Sequence, residues 1–288
     1  MYKKMMTLSN GVKIPQMALG TWFIDDDKVA EAVRNAVKIG YRHFDTAQAY
    51  GNERGVGEGV RTCGIPREEI FVTSKVAAEN KSYESAAASI DESLKKMGLD
   101  YIDMMIIHSP QPWKDVNQSD NRYFAENREV WRALTDAYKA GKVRAIGVSN
   151  FQENDIDNLY DQAEVKPMVN QVLCHISNTP LNLIDFCHKK DIVVEAYAPV
   201  AHGEALKNPR IIEMAEKYGV TVPQLCIRYD IQLGTVVLPK TVNPEHMKSN
   251  ADVNFVISEE DMETLKNVEK IKDYGDSSRF PVFGGKKS

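Results

Sequence analysis

Asp45, Tyr50, Lys75 and His108 have the residue types needed to deliver a proton to a carbonyl oxygen. A phenol titrates near 10, too high for efficient proton transfer at neutral pH. A neighbouring ammonium favours the phenolate and lowers that value, and Lys75 is the candidate. Asp45 would hold and neutralise Lys75, and His108 would hydrogen-bond and orient the carbonyl. Such a set presents a general acid to an electrophilic carbon and contains no Ser–His nucleophile pair. The histidines at 43, 108, 175, 188, 202 and 246 show neither H-x-H nor H-E-x-x-H spacing, so no metal centre is expected. A protonated tyrosine facing a carbonyl suits hydride transfer, with the hydride supplied by a cofactor.

Those residues matter only if the fold gathers them. Apolar runs recur near residues 17, 43, 71, 103, 145, 169, 193 and 235, reading MALG, HFDTA, FVTSKV, DMMIIH, AIGVS, VNQVL, VVEAYA and TVVLPK. Near-continuous apolar character marks strands buried on both faces, as in parallel sheets. Helical spacing fills 28–39, 83–97 and 130–138, with further helices expected near 152–164, 180–190, 209–218, 223–233 and 258–268. The strand spacing averages about 31 residues, one βαβ period. Eight such units predict an α/β fold, a closed (β/α)8 barrel forming one domain over 1–288. Asn10-Gly11 predicts an N-terminal hairpin that plugs the barrel floor. The polar tail 270–288, with Phe280 and Phe283, predicts a loop near the barrel mouth. A doubly wound open sheet is the competing fold. Against it, Gly55-Val-Gly57-Glu-Gly59 does not fit G-x-G-x-x-G and follows the second run, not the first.

Barrel enzymes carry their reactive groups at the C-terminal strand ends. There the runs place Asp45, Lys75, His108, Ser149-Asn150, Gln171, Tyr197 and Lys240-Thr241, with Tyr50 just after Asp45. Each alone has a plainer reading: Asp45 and Ser149-Asn150 as helix caps, Tyr50 as packing, Lys75 and Lys240 as surface charge, His108 as a loop histidine. Their convergence on one rim favours the chemical reading. Lys240 and Thr241 precede a short helix from Pro244, and an ammonium, a hydroxyl and a helix N-terminus together suit a phosphate.

Composition narrows the alternatives. Of 288 residues, 43% are hydrophobic and 27% charged, as in ordinary globular proteins. A net charge of −5 argues against a nucleic-acid partner or electrostatic membrane attachment. The N-terminus lacks a signal-peptide apolar core, and no apolar run approaches about 18 residues. Cys63, Cys174, Cys187 and Cys226 form no C-x-x-C pair, so a reducing, cytoplasmic setting is expected.

At this point the sequence resembles the aldo-keto reductase superfamily. The resemblance rests on GYRHFDTAQAYGNERGVG (40–57), GKVRAIGVSNF (141–151), LPKTVNP (238–244) and NGVKIPQMALGTW (10–22). It implies a (β/α)8 barrel and NAD(P)H-dependent reduction of aldehydes and ketones, usually with no metal. A monomer acting on a small-molecule carbonyl substrate with NADPH is expected, with NADH as a weaker or comparable alternative. Asp45, Tyr50, Lys75 and His108 then match the catalytic tetrad. Ser149, Asn150 and Gln171 match the residues holding the nicotinamide carboxamide, and Tyr197 the stacking aromatic. Gly20, Thr21 and Trp22 would border nicotinamide and substrate. The loop with Ala198, Pro199, Val200 and Leu206 would cross the pyrophosphate. Lys240, Thr241, Val242 and Asn243 would meet the adenosine 2′-phosphate, with His246 beside it and Asn250 on adenine. His246 and Ser249 stand where the family usually has Arg and Glu, which predicts a narrower NADPH preference. Ser109 stands where many relatives carry Trp, so the pocket wall is smaller or filled by another residue, with Trp113, Phe280 and Phe283 as candidates; Ser109 and Trp113 become candidate substrate contacts. A non-catalytic NADP(H) sensor or structural barrel protein is the alternative function.

Overall fold

The computed structural model describes residues 2–285; position 1 and positions 286–288, the end of the expected tail, lie outside them. The chain opens with an antiparallel hairpin of β1 (Met5–Thr7) and β2 (Lys13–Pro15). Eight parallel strands follow: β3 (Leu19–Gly20), β4 (His43–Asp45), β5 (Phe71–Val76), β6 (Ile102–Ile107), β7 (Val143–Ser149), β8 (Val169–Leu173), β9 (Val193–Tyr197) and β10 (Val236–Leu238). They are ordered β3 to β10 around the sheet, each hydrogen-bonded to the next. Closure comes just before β3, where Met17 bridges Val237 and Ala18 N–H donates to the Val237 carbonyl at 3.0 Å. The expected (β/α)8 barrel is therefore the observed fold, and the open sheet is not.

Between the strands run α1 (Asp26–Ile39), α2 (Glu53–Thr62), α3 (Tyr83–Met97), α4 (Phe124–Lys139), α5 (Glu153–Tyr160), α6 (Leu181–Lys189), α7 (Pro209–Tyr218), α8 (Val222–Gln232), α9 (Pro244–Asn250) and α10 (Glu259–Lys266). Every residue of β5 and β6 is buried, because barrel interior covers one face and helices the other. The hairpin lies across the strand entries: Leu8 and Ile14 are buried, and Asn10 Nδ2 donates to the Arg144 carbonyl at 3.0 Å. That is the expected floor plug, with Gly11 at φ 86° in its turn.

The expected helices did not include α2, whose three glycines lower its helix propensity. Tertiary packing explains them. A Cβ on Gly55 would lie 2.1 Å from the Asp26 carbonyl oxygen, and one on Gly57 2.1 Å from the Met97 carbonyl oxygen. The glycines let α2 pack directly on the starts and ends of its neighbours. Gly57→Ala should lower unfolding free energy by about 3 kcal/mol, because a backbone oxygen must move. A urea midpoint within error of wild type would contradict this account.

The tail also finds partners. Tyr274 and Phe283 are buried against Ala201, Ala205 and Ile211, in the region that follows β9. Among the described residues no helix is long and apolar enough to cross a membrane.

Candidate active site

Asp45 ends β4, and a single helical turn, Gln48–Tyr50, brings Tyr50 back over the barrel. Lys75 is the penultimate residue of β5, and His108 follows β6, its N–H donating to the Val76 carbonyl at 3.1 Å. Parallel register thus delivers all four to one rim.

An ammonium has three N–H groups, and Lys75 directs them to Asp45 Oδ1 at 2.6 Å, the Thr46 carbonyl at 2.8 Å and Tyr50 Oη at 3.2 Å. Lys75 is fully buried, so this satisfaction is needed. Burial by itself would depress its ammonium; the Asp45 carboxylate and Tyr50 more than reverse that, and the net direction is upward. Since the Tyr50 oxygen accepts from Lys75, its own hydrogen is left to point elsewhere, and Tyr50 lines the cavity.

Tyr50 corrects one expectation. Burial raises its pKa more than Lys75 lowers it, so the phenol sits above 10 and stays protonated at neutral pH. His108 is held well below its usual value by burial, then by the Lys75 charge, and is neutral. Its Nδ1 is buried without a partner, which leaves Nε2 as the nitrogen able to reach a ligand. The Tyr50 and His108 rings are 5.7 Å apart, edge to face.

On the opposite wall, Gln171 Nε2 donates to Asp45 Oδ2 at 2.8 Å. Ser149 Oγ donates to the Gln171 carbonyl at 2.8 Å. Asn150, left-handed at φ 62°, donates from Nδ2 to the His108 carbonyl at 3.0 Å and accepts from Tyr197 Oη at 2.7 Å. These contacts preset the polar groups around a cavity of about 680 Å³. Gly20, Thr21, Trp22, Tyr197, Ala198, Pro199, Val200 and Lys240 line it with Asp45, Tyr50 and His108, as does Trp113, edge-on to His108 at 5.1 Å; Lys75 lies buried behind them.

One expected substrate residue lies elsewhere, and, Lys240 apart, the expected adenosine-side residues do not line this cavity. Ser109 is buried behind the rim, where its carbonyl accepts from Lys81 Nζ at 3.0 Å and its Oγ from Gln111 N–H. The wall beside His108 is Trp113, so Ser109 does not take the position expected of it. Asn243 Oδ1 caps α9 by accepting from the Glu245 and His246 N–H groups. That cap already engages amides the sequence reading reserved for a phosphate. Thr241 Oγ1 accepts from Asn243 N–H at 3.1 Å. Leu206, Val242 and His246 are exposed and Asn250 is buried, and none of the four lines this cavity.

Of the remaining liners, Phe280 was expected near the mouth, whereas Phe23, His202, Arg279, Pro281 and Val282 carried no sequence signal. Phe280 meets the edge of Trp22 at 5.0 Å and Phe23 at 5.6 Å, and Arg279, Pro281, Val282 and His202 complete that side. Only the tail aromatics hinted at this, since contact between chain ends is set by folding.

The family model described as "Aldo/keto reductase family" matches residues 16–270. The chain belongs to the aldo/keto reductase family. It is 40% identical over 270 residues to a glyoxal reductase of Bacillus subtilis, covering 93% of this chain and 94% of that one. It is 38% identical over 287 residues to an aldehyde reductase of Saccharomyces cerevisiae, covering 92% and 91%. Among solved structures, a Bombyx mori aldo-keto reductase in complex with NADP superposes with a TM-score of 0.85 at 31% identity, covering 98% and 99%. As an aldo/keto reductase, the protein is an oxidoreductase that reduces carbonyl compounds with a nicotinamide cofactor. Its polar wall fits that cofactor: Gln171 and Ser149 face a cavity long enough to reach Lys240, a cation without an ion pair among the described residues.

Proposed function

We propose that Asp45, Tyr50, Lys75 and His108 are the catalytic centre of an NADPH-dependent aldehyde and ketone reductase. One observation carries this reading: Lys75 donates to the Tyr50 oxygen, so the phenol's hydrogen is free for the cavity. Bound NADPH supplies the hydride, from C4 of its nicotinamide. Tyr50 gives its proton to the carbonyl oxygen, and Lys75 stabilises the phenolate that remains. His108, neutral, donates from Nε2 to the same oxygen and fixes its approach. Asp45 keeps Lys75 charged and in place.

Ser149, Asn150 and Gln171 would hold the carboxamide and Tyr197 the ring face. Ala198, Pro199, Val200 and Leu206 would border the pyrophosphate. Lys240 would attract the 2′-phosphate, aided by Thr241, Val242, Asn243 and His246, with Asn250 toward adenine. Gly20, Thr21 and Trp22 would border nicotinamide and substrate. Trp22, Trp113 and Phe280 suit the apolar part of a small aldehyde or dicarbonyl. We further read the chain as one catalytic domain that acts as a cytoplasmic monomer, in keeping with four unpaired cysteines.

NADPH oxidation against methylglyoxal, aryl aldehydes and keto sugars tests this function. Turnover of any member supports it, whereas NADPH binding with no turnover in either direction would make the barrel a cofactor-binding module. Cofactor choice is a separate test. His246 lacks the fixed charge and planar fork of an Arg, so NADPH should lead NADH by only about tenfold in kcat/KM. A strong NADH preference would remove Lys240 from its role.

A further inference from the structure

Glu195 is fully buried in β9, and nothing in the reaction just described uses it. Its neighbour across the sheet is Gln171 of β8, in direct register. Gln171 Nε2 carries only two hydrogens. One goes to Asp45 Oδ2 and the other to Glu195 Oε2, both at 2.8 Å. Asp45 Oδ1 already accepts from Lys75, and this carboxylate cannot donate. The nitrogen side of the amide must therefore face the two acids, leaving Oε1 for the cavity that Gln171 lines.

A single acceptor would let the amide swing about that bond; two acceptors fix its plane. We propose that Glu195 is a positioning residue that locks the Gln171 amide with its oxygen toward the nicotinamide half of the cofactor. This rests on the reductase reading above. Glu195 Oε1 has no hydrogen-bond partner, and His43 Nε2 stands 3.9 Å from it. Burial, with the Asp45 charge adding to it, pushes the carboxyl up to about 8. Glu195 Oε2 accepts from Gln171, and a glutamine side-chain oxygen at the same position can accept the same hydrogen, so Glu195→Gln preserves both shape and function.

The test is binding, read by tryptophan fluorescence, of NADPH and of 2′,5′-ADP, which lacks the nicotinamide half. Glu195→Met should weaken NADPH about tenfold, since a buried amide hydrogen loses its acceptor. The same variant should leave 2′,5′-ADP within about twofold, and Glu195→Gln should restore NADPH to within about threefold of wild type. In a Gln171→Leu background, Glu195→Met should add nothing. Equal weakening of both ligands, an additive effect in that background, or no change for NADPH would overturn the proposal. Should Glu195→Met fail to fold, Glu195→Asp, which withdraws the carboxyl by one methylene, takes its place in the same comparison. Failure of the unmutated protein to bind NADPH would instead overturn the reductase reading itself.

Discussion

Tyr50→Phe should lower kcat/KM for carbonyl reduction by about 10²–10⁴-fold while leaving NADPH affinity within about threefold. The substitution removes one oxygen and keeps the ring. The edge contact with His108 and the stacking near Trp22 at 6.2 Å are retained. Lys75 loses one of three acceptors but keeps Asp45 and the Thr46 carbonyl. What disappears is the hydrogen directed at the cavity. The pH profile checks the same assignment. The protonated phenol is the active form, present below its pKa and lost as pH rises through it. Burial holds that pKa above 10, so the phenol's own limb should fall only in alkaline solution. A loss of less than tenfold in the variant would remove Tyr50 from the donor role.

Lys75→Met should cost both activity and stability. The ammonium is fully buried and Asp45 nearly so. Removing one partner of a buried pair leaves an uncompensated charge, destabilising by about 3–5 kcal/mol. Gln171 Nε2 still donates to Asp45, which moderates the loss toward the lower end. Activity should fall by at least about a hundredfold, because Lys75 no longer stabilises the phenolate left by proton transfer. The double change Asp45→Asn with Lys75→Met separates the two effects. Removing both charges should recover much of the stability and none of the activity. A double variant no more stable than Lys75→Met, by urea denaturation, would mean that Asp45 is not left stranded.

Much of this protein was readable along the chain. β5 and β6 are near-continuous apolar runs because both their faces are covered, and such a run is a local property. Asn10-Gly11 marks a turn by its own backbone preference. Asp45, Lys75 and His108 follow from strand ends and spacing, since parallel strands in register place their ends on one rim.

The rest required neighbours distant in sequence. The glycines of α2 look like a loop until Asp26 and Met97 are seen 2.1 Å from where side chains would begin. Sequence alone paired Lys75 with a lowered Tyr50, because charge proximity can be guessed and desolvation cannot; burial wins. Ser109 adjoins His108 in the chain yet turns away to Lys81, while Trp113 closes the wall. Phe280 reaches Trp22 across more than two hundred residues of chain. Glu195 gave no signal, since an acid inside a strand shows its purpose only beside the amide it holds. Apolar patterning, turn preference and strand register act over a few residues and survive in the sequence. Close backbone approach, dehydration and the direction of a buried hydrogen bond belong to the packed molecule.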